Sequence, residues 1–565
     1  MPSRSGRSCA CVLFLAAFMV AICAAPSLRA QGGEPQSFAI RGAKVVPVSG
    51  PPIDDATVIV SRGVFTAIAK DAKIPEDVWV IDGKGLIVYP GLIDAFTDIG
   101  LPAAPAAPEA TSRAARRAPG GAAGPEDRPA STPWRNAADE VTLTDKRIET
   151  WRTAGFTTVI SAPAGGFFPG QAAVLDLAGD RPSEFVVKSP VAVPVAVQPG
   201  AGFGSGFPDS LMGGLAYVRQ VWLDTDWSTK AQAIYEKNPR GVARPRYDRT
   251  EAALADALDD HAVVLIPANN SIQIRRALEQ LVDRWKVSAV LYGGQMSYEV
   301  APEIAAKKLP VLVNLKWPEA EKDGDPDDKP SLRVLRFRDK SPTSPAALAK
   351  AGAKFAFYSG GIALPKDILK AAKKSIDAGL APDAALRALT LSAAEIFGVS
   401  DRLGSIENGK IANLVVTDGD LFEEKTKIKM VFVDGSKFEI HEPEKPKDPP
   451  KGDITGKWKL SYTTPEGAEE STADLVMEKD GTVSGTVTSK RGTGSIISGY
   501  ASADKFSFTI NIPVEGEPAD VVFSGTFDAS ALKGSIHVLS YSIDFTGAKP
   551  NHDSSAASQV LGGAR

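Results

Sequence analysis

The sequence contains few histidines and cysteines, the residue types that most often hold zinc in proteins. It has four histidines and three cysteines among 565 residues, and the cysteines, Cys9, Cys11 and Cys23, all lie near the N-terminus. If that N-terminal segment is removed on export, the mature chain has no thiol. It then has no disulfide, no cysteine-ligated zinc and no cysteine nucleophile.

The segment that holds the cysteines has the pattern of a secretory signal. Arg4 and Arg7 precede an apolar run over 9–25, and small residues lead to the polar Gln31. We therefore predict a cleaved signal peptide over 1–30 and an exported protein, periplasmic or extracellular. A retained membrane anchor is the alternative, although the run is slightly short to span a bilayer.

Charge is nearly balanced, with a formal net charge of −4. No basic surface for nucleic acid is indicated, and no later apolar run is long enough to span a membrane. We expect neither nucleic acid nor, after signal cleavage, a membrane as a partner.

Hydrophobic patterning divides the rest of the chain. Short strand patterns over 37–90 and 404–440 indicate sheet elements, whereas apolar β-branched runs alternate with helical patterns over 91–403. Such alternation favours an α/β domain with a parallel sheet closed as a barrel. The remaining segments are a loop at 101–133 with few large apolar residues, a Pro-rich linker at 441–452, a separate all-β domain at 453–547 and a disordered tail at 548–565.

Three stretches resemble the amidohydrolase superfamily. Residues 82–94 are similar to its motif leading into the first barrel strand, and 389–399 with 403–421 resemble its closing signature. Residues 151–179 resemble the imidazolonepropionase-like branch. The resemblance covers about 37–440. It implies a (β/α)₈ TIM barrel of the metal-dependent-hydrolase type, with a composite β-sandwich built from both flanks.

The resemblance also implies a metal site at the C-terminal ends of the strands. Members hold one or two divalent metals, zinc or another, with a His-x-His after strand one and a carboxylated Lys or Glu on strand four. Histidines on strands five and six and an aspartate on strand eight complete the set. The metal lowers the pKa of a bound water, which then attacks a carbon–nitrogen bond.

This sequence lacks most of those ligands. Only His261 lies before residue 440, and it precedes the predicted strand 262–266, at the barrel face that serves stability. We expect it to be a surface or capping residue. We place the family's ligand positions on Phe96 and Asp98, Lys188 (the one candidate survivor), Pro267 with nearby Asn269, Gly293 or Gly294, and Gly360.

Two functional hypotheses follow. The first is a pseudoenzyme without metal or other cofactor, whose barrel mouth binds a small molecule or which acts as a scaffold. Such a protein could form a homo-oligomer or pair with a metal-competent relative. The alternative is an active amidohydrolase with a non-standard or metal-independent site. Oxygen ligands from Asp98, Asn269 and Asn314 would suit Mg²⁺, Ca²⁺ or Mn²⁺, but one carboxylate and two amides make a poor cage.

Overall fold

A computed structural model of the chain divides into two compact units, Met1–Ile440 and His441–Arg565. It describes residues 37–102, 128, 130–197, 210–282, 288–320, 329–362, 364–440, 448–464, 467–478, 480–490, 492–514, 517–528, 530–538 and 541–549. The predicted signal peptide, most of the 101–133 loop, most of the linker and nearly all of the tail lie outside the described residues.

The described residues of the first unit form sixteen strands. In chain order they are β1 (Phe38–Val45), β2 (Ile53–Ser61), β3 (Val64–Ala69), β4 (Trp79–Asp82), β5 (Ile87–Pro90), β6 (Leu92–Thr97), β7 (Phe156–Ser161), β8 (Ala172–Asp176), β9 (Val186–Pro194), β10 (Val263–Ala268), β11 (Ala289–Gly293), β12 (Val311–Asn314), β13 (Phe355–Tyr358), β14 (Leu414–Thr417), β15 (Ile428–Val433) and β16 (Ser436–Glu439).

Its α-helices lie mostly between the barrel strands. They are α1 (Arg147–Thr153), α2 (Pro182–Phe185), α3 (Leu211–Lys237), α4 (Arg249–Asp259), α5 (Ser271–Arg276), α6 (Ala301–Ala306), α7 (Leu332–Lys340), α8 (Ser344–Ala351), α9 (Lys366–Asp377), α10 (Pro382–Ala388) and α11 (Leu391–Ile396). A π-helical turn, Ala277–Val282, continues α5, and short 3₁₀ turns lie at Ala137–Asp139, Ser297–Glu299 and Ser341–Thr343.

The two flanks of the chain build one sheet together. Its order is β16-β15-β14-β5-β1-β2-β3, and β4 also pairs with β1. The join is antiparallel, between β14 and β5, and Phe38 stacks on Phe432 with ring centroids 4.3 Å apart. Strands from both flanks therefore share one hydrophobic core.

The eight central strands form a barrel-shaped sheet in the order β13-β12-β11-β10-β9-β8-β7-β6. β7, Phe156–Ser161, is buried along its whole length, as expected of a strand covered on both faces. The prediction of a fully parallel barrel is wrong at one strand, because β8 is antiparallel to both β7 and β9. A short loop connects β7 to β8, so no helix crosses over there.

Small and branched side chains fill the inside of this sheet. Ile93, Val174, Leu265 and Leu312 belong to one buried cluster, which also includes residues of α11. Because α11 packs at the N-terminal ends of the strands, that end of the barrel is closed. The C-terminal ends form the open mouth.

The second unit is a closed barrel of eight antiparallel strands, in agreement with the all-β domain predicted over 453–547. The interior is filled with aromatic side chains, with Phe508 stacked on Phe523 at 4.9 Å. The strands are β17 (Gly456–Thr464), β18 (Gly467–Met477), β19 (Val483–Ser489), β20 (Gly492–Ser502), β21 (Lys505–Val514), β22 (Glu517–Phe527), β23 (Ala531–Val538) and β24 (Tyr541–Ala548).

None of the described helices combines the length and the apolar character needed to cross a bilayer.

Candidate functional site

A cavity of about 740 Å³ opens at the C-terminal mouth of the first unit's barrel. Parallel α/β barrels carry their binding sites at this end, because the strand-to-helix loops converge there. Its walls come from the ends of six strands and from α1. The lining includes Phe96, Thr97, Asp98, Ile99, Arg147, Trp151, Pro163, Pro194, Tyr292, Asn314, Tyr358, Ser359, Gly360 and Ile362.

Three aromatic rings form the floor of the cavity. The Phe96 ring lies 5.2 Å from that of Tyr292 and 5.8 Å from that of Tyr358, centroid to centroid, in tilted and edge-on arrangements. Such geometries are favourable for aromatic pairs. The three residues come from β6, β11 and β13, so the rings meet across the centre of the mouth. We call them the aromatic floor.

Both tyrosine hydroxyls of the aromatic floor form hydrogen bonds with other residues of the barrel. Tyr292 donates a hydrogen bond to the Val195 carbonyl at 3.1 Å, so its side chain crosses the end of β10. Tyr358 hydrogen bonds with the Asn314 amide. Burial raises the pKa of Tyr292 to about 12 and raises that of Tyr358 as well. Both phenols are therefore neutral near pH 7, and neither provides a phenolate ligand or base.

Asp98 lies at the edge of the aromatic floor and pairs with an arginine. The Arg147 guanidinium donates to Asp98 Oδ1 at 2.7 Å and to Asp145 Oδ2 at 2.9 Å. Asp145 also accepts from the Gly100 amide. Asp98 is thus held in place by a cation, and Arg147 is held by two carboxylates.

Asp94 is buried beneath the cavity and links the two edge strands of the barrel sheet. Its Oδ1 accepts from the Ser359 amide at 3.0 Å, and its Oδ2 accepts from Trp151 Nε1 at 3.2 Å. Ser359 follows β13 and Asp94 lies on β6, so this carboxyl group connects the first barrel strand to the last. Burial raises the pKa of Asp94. Asp94 therefore makes a structural contact at the strand end.

At strand eight, the space that an aspartate side chain would need is already occupied. A Cβ atom built on Gly360 would lie 1.9 Å from Asn314 Oδ1, and the residue has a φ of +61°. Asn314 is itself fixed, because its Oδ1 accepts from the Lys316 amide at 2.7 Å. Gly293 is similar, since its Cβ would lie 2.4 Å from Asn269 Oδ1. Each glycine therefore fits together with a neighbouring asparagine.

We expect Gly360→Asp to be less stable than Gly361→Asp by about 1–2 kcal/mol, the range for overpacking a tight site. Both positions have positive φ, but a Cβ at Gly361 would meet only Lys316 Nζ at 4.0 Å. Gly361→Asp is thus a control for the backbone strain without the overlap, with an added ion pair to Lys316. Urea unfolding of the two variants measures the difference, and equal stabilities would contradict the steric argument.

The structure brings together three of the residues predicted at ligand positions. Phe96, Asp98 and Gly360 all line the cavity. Pro267, Asn269 and Gly293 lie at neighbouring strand ends but are not among its lining residues. The Tyr292 side chain, which crosses the end of β10, explains their exclusion.

The structure corrects the placement of Lys188 at the strand-four ligand position. It is near the start of β9, whereas Pro194 at the end of that strand lines the cavity. Six residues of strand correspond to about 20 Å. The Lys188 ammonium instead donates to the Gly398 carbonyl at 3.1 Å, at the closed end of the barrel. His261 also lies at that end, exposed and just before β10.

Several residues of the site were not identified from the sequence. Arg147 lies on α1 before the 151–179 stretch, and Trp151 begins that stretch, but nothing in the sequence marked either side chain as part of a site. Tyr292 and Tyr358 could have been noticed, because each is an aromatic residue within two positions of an assigned ligand position.

The residues present do not fit the divalent metal that the sequence resemblance implies. Phe96 has no donor atom, Asp98 is paired with Arg147, and Gly360 has no side chain. In the part of the chain that the structure describes, no three His, Cys, Asp or Glu side chains converge on a common point. The alternative set of oxygen ligands does not fit either, because Asn314 Oδ1 already accepts from the Lys316 amide and Asn269 does not line the cavity.

Residues 248–441 match the model of the amidohydrolase family. The structure is similar to that of an amidohydrolase from Thermotoga maritima, with a TM-score of 0.58 and 23% identity over 71% of this chain and 100% of that one. This likeness shows the fold alone, which is the TIM-barrel-like amidohydrolase fold, and the C-terminal β-barrel is a separate unit.

Two more distant likenesses carry no argument about function. A Xaa-Pro dipeptidase with bound methionine gives a TM-score of 0.44 at 17% identity, covering 72% of this chain and 100% of that one. A putative prolidase from Bifidobacterium longum gives 0.43 at 16% identity, covering 73% and 97%. No curated protein matches the sequence.

Proposed function

We propose that this protein is an exported pseudoenzyme of the amidohydrolase type, related to the imidazolonepropionase-like branch, whose barrel mouth binds a small organic molecule. The aromatic floor carries the proposal. It lies where the strand ends converge, and Phe96 stands at the position of the first ligand of the His-x-His pair. A cavity of about 740 Å³ above it is within the usual size of small-molecule sites.

The surroundings of the floor support the same reading. Asn314 fills the space that a strand-eight aspartate would use, and Arg147 forms an ion pair with Asp98, the carboxylate at a proposed ligand position. Reverting one position would therefore leave the others unable to bind a metal. Self-association, or pairing with a metal-competent relative, is compatible with this role and forms part of the proposal.

The test measures metal content and thermal stability of the purified mature protein, before and after dialysis against a chelator. We expect far less than one zinc, manganese or iron per chain, and the same melting temperature in both samples. A structural or catalytic metal would instead stabilise the folded state, and its removal would lower the melting temperature.

The same preparations are assayed against N-acyl amino acids, dipeptides and cyclic amides. We expect no turnover above that of a heat-denatured control. One bound metal per chain together with hydrolysis would overturn the proposal. Hydrolysis that persists in the chelator would establish the alternative, an amidohydrolase with a metal-independent site.

A further inference from the structure

The cavity contains a carboxylate oxygen that is open to a ligand. Asp98 Oδ1 accepts from Arg147, whereas its Oδ2 has no hydrogen-bond partner among the described residues. The Asp98 side chain lines the cavity and is 45% exposed. A donor group entering the mouth can therefore reach Oδ2 without breaking the existing ion pair.

Aromatic rings lie next to this carboxylate. Phe96 is two residues before Asp98 in the same extended segment, and its ring contacts Tyr292 and Tyr358. Trp151 contributes a fourth aromatic side chain to the lining. The face of an aromatic ring carries negative partial charge and attracts cations, with tryptophan and tyrosine among the strongest partners.

The Arg147 guanidinium, which lines the cavity, is shared between two carboxylates. Arg147 lies between Asp98 and Asp145, so this group of three has a net charge of −1. The guanidinium already donates to both carboxylates and has little capacity left for an anion. Lys316 is not among the lining residues, and its ammonium points to the Gly361 carbonyl at 3.4 Å.

We propose that the cavity binds a small organic cation, an amine or quaternary ammonium that carries an aromatic or aliphatic group. The cationic nitrogen lies beside Asp98 Oδ2, and the apolar group packs on the aromatic floor. This assignment rests on the proposed function, since it requires a mouth without a metal, and it adds the chemical class of the ligand.

The test uses three probes of similar size and different charge. Benzyltrimethylammonium is the cation, neopentylbenzene is its uncharged carbon isostere, and phenylacetate is an anion. Binding to the full-length mature protein is measured by isothermal titration calorimetry, with competition for the sparingly soluble isostere. We expect the cation to bind about tenfold or more tightly than the isostere, as a desolvated cation–π contact with a carboxylate allows. We expect no binding of phenylacetate.

Two variants identify the groups responsible. Asp98→Asn removes the charge and Phe96→Leu removes a ring, and we expect each to weaken binding of the cation about tenfold. Asp77→Asn, at an exposed turn outside the cavity, should bind as the wild type does. Unchanged melting temperatures show that the variants are folded. If Asp98→Asn loses stability, Phe96→Leu still tests the site.

The outcomes separate this inference from the proposed function. No binding of the cation, equal binding of the isostere or the anion, or wild-type affinity in both variants would overturn the ligand class. In each of those cases a metal-free protein without hydrolase activity would leave the proposed function standing. Stoichiometric metal with hydrolysis would overturn the proposed function itself.

Discussion

Asp94→Ala is expected to lower the free energy of unfolding by about 3 kcal/mol, because it leaves two buried donors without an acceptor. Asp94 is 1% exposed and accepts hydrogen bonds from the Ser359 amide and the Trp151 indole. Each unsatisfied buried donor costs about 1–3 kcal/mol. Removing the carboxyl group also removes the cost of burying it, which offsets part of that loss. Urea unfolding followed by tryptophan fluorescence measures the loss.

A graded pair of variants tests whether the hydrogen bonds are responsible. Asp94→Asn keeps the volume and one acceptor oxygen, so we expect a loss about half as large. Asp77→Ala removes an exposed carboxylate and should change the stability by less than about 0.5 kcal/mol. If Asp94→Ala is as stable as Asp77→Ala, this carboxyl group does not hold the edge strands together.

The second large effect is a loss of stability as the pH rises, caused by two neighbouring acids, the buried Asp176 and the partly buried Asp434. Burial raises the pKa of Asp434 to about 6 and, with the nearby Asp434 charge, raises that of Asp176 well above its ordinary value. Thr158 donates to Asp176 at 2.5 Å, and Asn413 accepts from the Asp434 amide at 2.8 Å. The nearest compensating charge is Arg402, which lowers the pKa of Asp434 by a smaller amount.

The sign follows from proton linkage. The folded state holds the Asp434 proton more tightly than the unfolded chain, so its contribution is complete below about pH 3.8 and is lost as the pH rises through 6. The loss is on the order of 3 kcal/mol for a shift of about two units. We expect wild-type protein to be less stable at pH 7 than at pH 5, when unfolding is measured in urea at both.

Asp434→Asn isolates this contribution, because it keeps the shape of the side chain and removes its titration. We expect the variant to lose less stability between pH 5 and pH 7 than the wild type does. Other acids, including Asp94, titrate in both proteins. The difference between the two pH profiles therefore reports on Asp434 and its neighbour Asp176. Parallel pH profiles for variant and wild type would show that Asp434 does not titrate with a raised pKa.

The positions of most barrel strands could be predicted from the sequence, but neither the position nor the direction of β8 was. β8, Ala172–Asp176, is buried at every residue. A continuous apolar run has the same appearance whether the strand is parallel or antiparallel. The error at Lys188 has a related cause. The apolar run 186–197 does not itself indicate which of its residues reaches the mouth, and in the structure Lys188 lies near the beginning of β9.

The sequence by itself determined which chemical groups the chain can offer. Of the four histidines in 565 residues, three lie beyond residue 440, so the segment that resembles the amidohydrolase superfamily contains one imidazole before that point. The tertiary structure decided what occupies the proposed ligand positions. Tyr292 and Tyr358 reach Phe96 from other strands, and Arg147 reaches Asp98 across 49 positions of sequence. Such contacts depend on which strand ends become neighbours when the sheet curls into a barrel, and no local pattern in the sequence records that.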